Sequence, residues 1–329
     1  MEPSSYVKPS SESSSTSSPR LTPKDLASVP ELESGYVSGT SSTSGSSAQL
    51  PLITLTAPHV QHLNQQLEKM SAADRLRFAK VFFPNLYQST AFGLTGLVST
   101  DMLSKIAEEA PGSAPVDLIF LDTLFHFDET YALVDRVRAR YPNVKIHTYR
   151  PQDAGTPAEF EARYGERLYE SAAELYDWIA KVEPQQRAYA DLRVAAVLTG
   201  RRRSQGGERD RIPVLEVDEE TGIVKINPLV DWTFAQVRAY VDSHSVPYNA
   251  LLDRGYKSVG DWHSTSPVAA GEDERAGRWK GQQKSECGIH NKKSRYAQYL
   301  EDMQRKAEED QLTAALEEVE RAQKEGAVA

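Results

Sequence analysis

Hydrophobic and polar positions divide this chain of 329 residues into three stretches. Residues 1–50 are rich in Ser, Thr, Pro and Gly and carry few large apolar side chains. Because such a segment cannot bury enough surface to offset the entropy lost on ordering, we predict a disordered leader. Residues 51–292 alternate apolar runs with amphipathic stretches and are predicted to fold as one domain. Residues 293–329 are charged with a thin apolar stripe, which favours a solvated helical tail over a dimerising helix.

Apolar residues spaced three and four apart predict helices at the start of this domain. The pattern covers Ala57–Phe83 and places Leu63 and Leu67 on one face. Ser71 is the predicted N-cap of the second half of this stretch, and Pro84 ends it.

Apolar runs that alternate with amphipathic stretches follow. The predicted strands are Leu86–Phe92, Val116–Asp122, Val144–Tyr149 and Val194–Thr199, and the predicted helices are Leu94–Ala110, Glu129–Tyr141, Pro157–Tyr164 and Ser171–Leu192. Such alternation is typical of an α/β domain with a mostly parallel sheet. Further along, Val214–Val217 and Ile223–Ile226 predict a β-hairpin. Phe234–Val241 predicts a helix with a cap near Asp231 or Thr233.

Ligands of parallel sheets bind at the carboxyl ends of the strands, which draws attention to three turns. The first, Thr90–Gly96, joins a strand to a helix and contains small residues. Free N–H groups at a helix start form an anion site, and Thr90 and Thr95 add hydroxyl donors. The turn lacks the Gly-Lys-Ser/Thr element of a Walker A loop, and an ordinary strand-to-helix turn is the alternative.

The other two turns carry an acid with aromatic residues and a run of cations. Asp122–Phe127 could frame an adenine or a ribose, although Phe125 and Phe127 could equally be core residues. Gly200–Gly207 places three successive arginines after an apolar strand, which suits a multiply charged anion because guanidinium groups pair with phosphate. A surface basic run is the alternative. Lys181 is a further cation near a helix end.

The single cysteine, Cys287, lies in the segment Gly271–His290, where four glycines alternate with the cations Arg275, Arg278, Lys280 and Lys284. Nearby cations lower the pKa of a thiol and so favour the nucleophilic thiolate. We therefore predict a nucleophile on a flexible C-terminal arm. A buried structural cysteine is one alternative. Zinc is another, but one Cys with scattered His residues gives no structural ligand set.

Composition limits the location and the partners. No apolar run approaches the length of a membrane span, and the N-terminus has no apolar signal core, so we predict a cytoplasmic protein. One cysteine excludes an intrachain disulfide, excludes an iron–sulfur cluster held by four cysteines of this chain, and suits a reducing compartment. The net charge of −9 argues against a general nucleic-acid binder.

From about Thr90 to His290 the chain resembles the phosphoadenylyl-sulfate (PAPS) reductases, thioredoxin-dependent enzymes of sulfate assimilation. The matching runs, in order, are TAFGLTGL, LDTLFHF, KVEP, TGRRRSQG, KINPL, GDWHST, GEDERAGRW and ECGIH. The resemblance implies a three-layer fold of the adenine nucleotide α-hydrolase type, related to the PP-loop ATP pyrophosphatases. It also implies a homodimer with no bound cofactor and makes residues 51–292 the catalytic domain.

The resemblance also implies roles for individual residues. Cys287 falls on the family cysteine, while His263 and His290 match family positions without a firm role. The implied substrate-binding positions are Thr90, Phe92, Gly93, Thr95, Leu121, Thr123, Lys181, Gly200, Arg201, Arg202, Gln205, His263, Arg275 and Arg278.

One departure bears on the substrate. The similar adenylyl-sulfate (APS) reductases hold a 4Fe–4S cluster on cysteines, whose matching positions here are Tyr176, Asp177, Asp261 and Ser264. The resemblance therefore favours 3′-phosphoadenylyl sulfate over the form that lacks the 3′-phosphate.

The implied reaction is reduction of this nucleotide to sulfite and adenosine 3′,5′-bisphosphate through an S-sulfocysteine on Cys287, with thioredoxin as electron donor. Three alternatives stay open: an APS reductase, a PP-loop ATP pyrophosphatase such as an adenylyltransferase, and a nucleotide-binding regulator without catalysis.

Overall fold

The structure is a computed structural model that describes residues 55–110, 112–218, 221–269, 271–280 and 289. Cys287 and His290 lie outside these residues, as do the leader 1–50 and the tail 293–329. The domain boundaries proposed from the sequence therefore stay predictions.

The helices and strands follow the alternation that the sequence predicts. The helices are α1 (Ala57–Leu67), α2 (Ala72–Phe82), α3 (Leu94–Glu109), α4 (Asp128–Arg140), α5 (Pro157–Tyr164), α6 (Leu168–Ser171), α7 (Ala173–Asp177), α8 (Glu183–Asp191) and α9 (Phe234–His244). The strands are β1 (Leu86–Thr90), β2 (Leu118–Leu121), β3 (Ile146–Tyr149), β4 (Ala196–Leu198), β5 (Leu215–Val217) and β6 (Val224–Ile226). None of the described helices is both long enough and apolar enough to cross a membrane.

The six strands form one sheet in the order β3-β2-β1-β4-β6-β5. Neighbouring strands are parallel except for β5 and β6, which form the predicted antiparallel hairpin at one edge. The prediction of an α/β domain with a mostly parallel sheet is confirmed. The carboxyl ends of β1, β2 and β4 consequently meet along one edge of the sheet.

Alternate residues of the buried strands pack against helices on opposite faces of the sheet. Leu118 and Phe120 belong to the large core that also contains residues of α2, α3, α4 and α9. Ile119 and Leu121 belong to a second core that contains Ala188 of α8. Helices therefore cover both faces, which gives the predicted three layers.

Helix caps match the sequence signals. The Ser71 hydroxyl accepts a hydrogen bond from the Asp74 N–H at the start of α2. Of the two candidates for the start of α9, Thr233 is the cap, and it forms a reciprocal pair of bonds with Gln236.

One predicted boundary is wrong, and one predicted helix contains an irregular turn. The strand predicted as Leu86–Phe92 ends at Thr90, because Phe92 has a φ of 56° in the left-handed region. The helix predicted as Ser171–Leu192 runs without a gap from Ala173 to Asp191, but a π-helical turn at Trp178–Val182 separates α7 from α8. Pro184 lies in the first turn of α8 and removes one N–H donor from the hydrogen-bond ladder of this helix.

Candidate active site

A cavity of about 270 Å³ opens at the carboxyl ends of β1, β2 and β4. Twelve of the fourteen predicted substrate-binding residues line it: Thr90, Phe92, Gly93, Thr95, Leu121, Thr123, Lys181, Gly200, Arg201, Arg202, Gln205 and Arg278. The structure thus brings together residues that lie up to 188 positions apart in the sequence, from Thr90 to Arg278. That these residues bind a substrate remains a prediction.

The turn after β1 forms one wall of the cavity. The Phe92 N–H donates to the Thr90 hydroxyl at 2.9 Å, which supports the left-handed conformation of Phe92. Gly93 then begins α3 without a capping side chain. Because the first turn of a helix leaves N–H groups without intrahelical partners, this wall can bind an anion. A Cβ atom on Gly96 would lie 3.2 Å from the Thr90 hydroxyl oxygen, so the turn leaves little room for a side chain there.

The three successive arginines after β4 have three different environments. Arg201 lines the cavity, and its guanidinium group donates to Glu216 and, at 3.2 Å, to Asn227. Arg202 also lines the cavity but is only 1% exposed. Arg203 is not among the cavity residues and forms an ion pair with Glu68. Only the first two members of the run therefore line the cavity.

Arg202 donates to four different residues. Its Nε bonds the Thr95 hydroxyl at 2.9 Å, and its Nη1 bonds the Ser204 hydroxyl at 2.7 Å and the Trp232 carbonyl at 3.1 Å. Its Nη2 donates to both carboxylate oxygens of Glu274 at 2.7 Å. Arg202 thereby links the start of α3 to the segment that follows residue 270.

A buried carboxylate, Asp261, organises the opposite wall. One oxygen accepts from the Thr123 hydroxyl at 2.6 Å. The other accepts from Lys181 Nζ at 2.8 Å and from the Tyr176 hydroxyl at 3.1 Å. Lys181 also bonds Asp177 at 3.1 Å, so its ammonium group lies between two carboxylates. This network fixes Lys181 and Thr123, which both line the cavity.

The Asp261 carboxyl is ionised in this setting. Burial alone would raise its pKa, but Lys181, together with the nearby rings of His126 and His263, lowers the pKa well below its usual range. Burial, reinforced by the Asp261 carboxylate, raises the pKa of the Tyr176 hydroxyl, so that Tyr176 stays protonated and donates.

Comparisons with known proteins show the family to which this chain belongs. The family model "Phosphoadenosine phosphosulfate reductase domain" matches residues 85–267. This chain belongs to that reductase family. It is 60% identical to the phosphoadenosine phosphosulfate reductase of Emericella nidulans over 286 residues, which cover 87% of this chain and 91% of the relative.

Two further members of the family are similar over shorter lengths. The phosphoadenosine phosphosulfate reductase of Saccharomyces cerevisiae is 50% identical over 252 residues, which cover 75% of this chain and 95% of the relative. A crystal structure of phosphoadenylyl-sulfate (PAPS) reductase from Candida auris in a phosphate complex is 53% identical. It aligns with a TM-score of 0.59 over 65% of this chain and 99% of the other. The resemblance stated from the sequence motifs is confirmed.

Three of the positions that match cluster cysteines of the APS reductases, Tyr176, Asp177 and Asp261, lie close together in this structure. Asp177 and Asp261 both pair with the ammonium group of Lys181, and the Tyr176 hydroxyl donates to Asp261. Side-chain oxygen atoms that bond one another and a lysine thus stand where the resemblance places thiolates. Within the described part of the chain, no group of three or more His, Cys, Asp or Glu side chains could hold a metal ion.

Two predicted substrate-binding residues do not line the cavity. His263 stacks on the ring of Tyr169 with a centroid distance of 3.9 Å, and its Nε2 lies 3.7 Å from Asp261. Arg275 lies over the ring of Trp279 at 5.7 Å. Trp262 is 47% exposed, although its ring contacts those of Phe125 and Tyr169.

Sequence reasoning missed several cavity residues, among them His126, Arg209, Lys225, Asn249 and Lys257. His126 and Lys225 lie within the LDTLFHF and KINPL runs, so a signal for them was present. The other three lie outside the quoted runs, and only the folded chain brings them to the cavity.

The described part of the C-terminal arm packs against the domain. Trp279 is buried, and its backbone N–H donates to the Ser264 carbonyl at 2.9 Å. A Cβ atom on Gly277 would lie 2.0 Å from the Ser266 carbonyl oxygen, so the two segments approach too closely for any side chain there. Ile289 also lines the cavity. The predicted flexibility of the arm remains a prediction.

Proposed function

We propose that this protein reduces 3′-phosphoadenylyl sulfate to sulfite and adenosine 3′,5′-bisphosphate in sulfate assimilation. The observation that carries the proposal is a cavity, in a chain of the reductase family, that combines an uncapped helix start with several cations. The cations are Lys181, Arg201, Lys225, Lys257 and Arg278.

The charge of the substrate explains the need for so many cations. Two phosphate groups and a sulfate give it a charge of about −4 at neutral pH. The N–H groups at the start of α3 and the guanidinium group of Arg201 are suited to bind phosphate oxygens. Partial neutralisation lets an anionic thiolate approach an anionic sulfate and stabilises the charge that develops on the leaving phosphate.

The covalent step in this proposal uses Cys287. Its thiolate attacks the sulfur of the substrate, and the bond from that sulfur to the bridging phosphate oxygen breaks. Adenosine 3′,5′-bisphosphate leaves with the electron pair, and Cys287 carries an S-sulfo group. Ile289, two places after Cys287 in the sequence, lines the cavity. Because two residues span about 7 Å at most, the chain length allows the thiolate to reach the substrate.

Reduction then follows by thiol exchange. A thioredoxin thiolate attacks the Cys287 sulfur, and sulfite leaves with the electrons of the sulfur–sulfur bond. The second thioredoxin thiol resolves the mixed disulfide, which restores the Cys287 thiol and leaves thioredoxin oxidised. In this scheme the protein holds no redox cofactor of its own, and thioredoxin supplies both electrons. The proposal also includes the cytoplasmic location predicted from the composition and the homodimer that the resemblance implies.

Turnover on the two sulfonucleotides tests this function. With reduced thioredoxin, we expect sulfite release from 3′-phosphoadenylyl sulfate with a kcat/KM at least about 10²-fold higher than on adenylyl sulfate, because cations left unpaired by the missing phosphate cost binding energy. Cys287→Ser should bind the nucleotide and release no sulfite. Equal turnover on both nucleotides would favour an APS reductase, and pyrophosphate release from ATP would favour an adenylyltransferase. Nucleotide binding without any turnover would favour a regulator.

A further inference from the structure

Segment 271–280 carries an ion pair that the proposed chemistry does not use. Glu274 is only 8% exposed, and both of its carboxylate oxygens accept from Arg202 Nη2 at 2.7 Å. Arg202 follows β4 and is itself buried. The pair therefore joins the arm to the wall of the cavity, with both partners withdrawn from solvent.

The remaining donors of Arg202 are also occupied. A guanidinium group has five N–H donors, and Thr95, Ser204 and Trp232 accept the three that Glu274 does not. Arg202 therefore has no N–H left for a substrate phosphate while Glu274 is in place. These hydrogen bonds are typical of a residue that holds its neighbours in position, and not of a residue that binds the ligand directly.

The position of Arg278 in the cavity wall depends on where this segment lies. The Arg278 guanidinium packs so closely on Gly260 that a Cβ atom there would lie 2.3 Å from Nη2. Lys280 and Glu272 form an ion pair at 3.7 Å, but both residues belong to the segment and cannot attach it to the strand ends. Lys257 bonds the Glu272 carbonyl and Ser264 accepts from the Trp279 backbone N–H, but these contacts lead to residues 257–264 and not to the strand ends. The Glu274–Arg202 pair attaches the segment to the residues after β4, at most six positions from every other residue of 271–280.

We propose that Glu274 is a positioning residue whose ion pair with Arg202 clasps segment 271–280 against the start of α3. The clasp sets the place of Arg278 and the point from which the chain continues to Cys287. This role rests on the proposed function. Glu274 itself lines the cavity, but both of its carboxylate oxygens are occupied by Arg202. In this proposal it acts through Arg202 and through the segment that it holds.

Glu274→Gln tests the clasp, because it removes the charge while keeping the size of the side chain. Hydrogen–deuterium exchange of the peptide 271–280 in the full-length protein should show protection of the Trp279 N–H reduced about tenfold or more. Single-turnover release of adenosine 3′,5′-bisphosphate without thioredoxin should slow by about 10- to 100-fold, because the reacting groups are less well positioned. The Kd of adenosine 3′,5′-bisphosphate should stay within about threefold of wild type, since the strand-end turns bind it.

Glu272→Gln is the matched control. It makes the same change two residues away, where the carboxylate is half-buried and its ion pair lies within the segment. Exchange and single-turnover rate should match wild type. If Glu274→Gln does not fold, Glu274→Asp replaces it. This variant keeps the charge, but its side chain is one methylene shorter. It should show the same losses of exchange protection and of single-turnover rate, with smaller magnitudes.

Three results would overturn the clasp. The first is unchanged protection of segment 271–280 in the Glu274 variants. The second is lowered protection with an unchanged single-turnover rate, which would separate the segment from the chemistry. The third is a faster reaction or tighter nucleotide binding, which would make Glu274 a competitor of the substrate for Arg202. If wild-type protein released no sulfite, the proposed function would fail, and the exchange comparison would still decide whether the clasp exists.

Discussion

The two walls of the cavity are built in different ways. The wall after β1 is a single run, Thr90–Gly96, which contains no charged side chain and offers the N–H groups of a helix start. The opposite wall is centred on the buried Asp261 and collects Thr123, Tyr176 and Lys181 from distant parts of the chain, and Thr123 and Asp261 are 138 positions apart in the sequence. Backbone dipoles keep their direction when one side chain changes, whereas a buried ionic network depends on every partner.

The largest expected effect of this difference is on stability. Asp261→Ala removes one of the two carboxylates that pair with the buried Lys181 in the described part of the chain, and it removes the acceptor of the Thr123 and Tyr176 hydroxyls. We expect a loss of about 3–5 kcal/mol in the free energy of unfolding, measured by urea denaturation. The control is Asp242→Ala, which breaks an exposed pair with Arg238 and should cost about 1 kcal/mol or less. Equal losses in the two variants would show that the buried network is no stronger than a surface pair.

The pH dependence of unfolding is a second test of how much the buried network around Asp261 contributes to stability. The pKa of Asp261 is lower in the folded chain than in the unfolded chain, so its ionised form stabilises the fold at neutral pH. This contribution is fully present above the unfolded pKa of about 4 and is lost as the pH falls below it. The stability difference between wild type and Asp261→Asn should be constant from about pH 8 to 5 and should shrink in more acidic solution. A difference that grew on acidification would contradict the assignment.

Within the arginine run, the expected effect is on nucleotide binding. Arg201→Ala should weaken binding of adenosine 3′,5′-bisphosphate by about 10- to 100-fold, because a charge-assisted contact to phosphate is lost. Arg203→Ala removes the same charge from a side chain that pairs with Glu68 outside the cavity, and its Kd should stay within about threefold of wild type. Isothermal titration calorimetry measures both. Similar losses would mean that the run acts through its overall charge.

The smallest expected effect is in the first wall. Thr90→Val keeps the shape of the side chain but removes the acceptor of the Phe92 N–H. The lost hydrogen bond should cost about 1 kcal/mol and weaken nucleotide binding by no more than about tenfold, as measured by thermal denaturation and calorimetry. Thr90→Ser retains the hydroxyl and should behave like wild type. A loss as large as that of Asp261→Ala would contradict the view that the backbone carries this wall.

The same contrast explains what the sequence predicts and what it does not. The anion site at the turn Thr90–Gly96 can be predicted from the sequence, because the strand, the small residues and the helix are consecutive in the chain. The ion-pair partners of Lys181 cannot be predicted from the sequence, because Asp261 approaches Lys181 only in the folded chain. Arg202 and Arg203 look equivalent in the sequence. They differ in the folded chain because Arg202 pairs with Glu274 and Arg203 pairs with Glu68. The π-helical turn before α8 had a visible signal in Pro184, which the apolar periodicity outweighed.

Mass spectrometry of the protein mixed with 3′-phosphoadenylyl sulfate, without any reductant, tests the central claim most directly. We predict that the wild-type chain gains the mass of one SO₃ group, that peptide mapping places it on Cys287, and that one equivalent of adenosine 3′,5′-bisphosphate is released. Addition of reduced thioredoxin should remove the group as sulfite. An unmodified Cys287 in a protein that still turns over with thioredoxin would contradict the covalent mechanism.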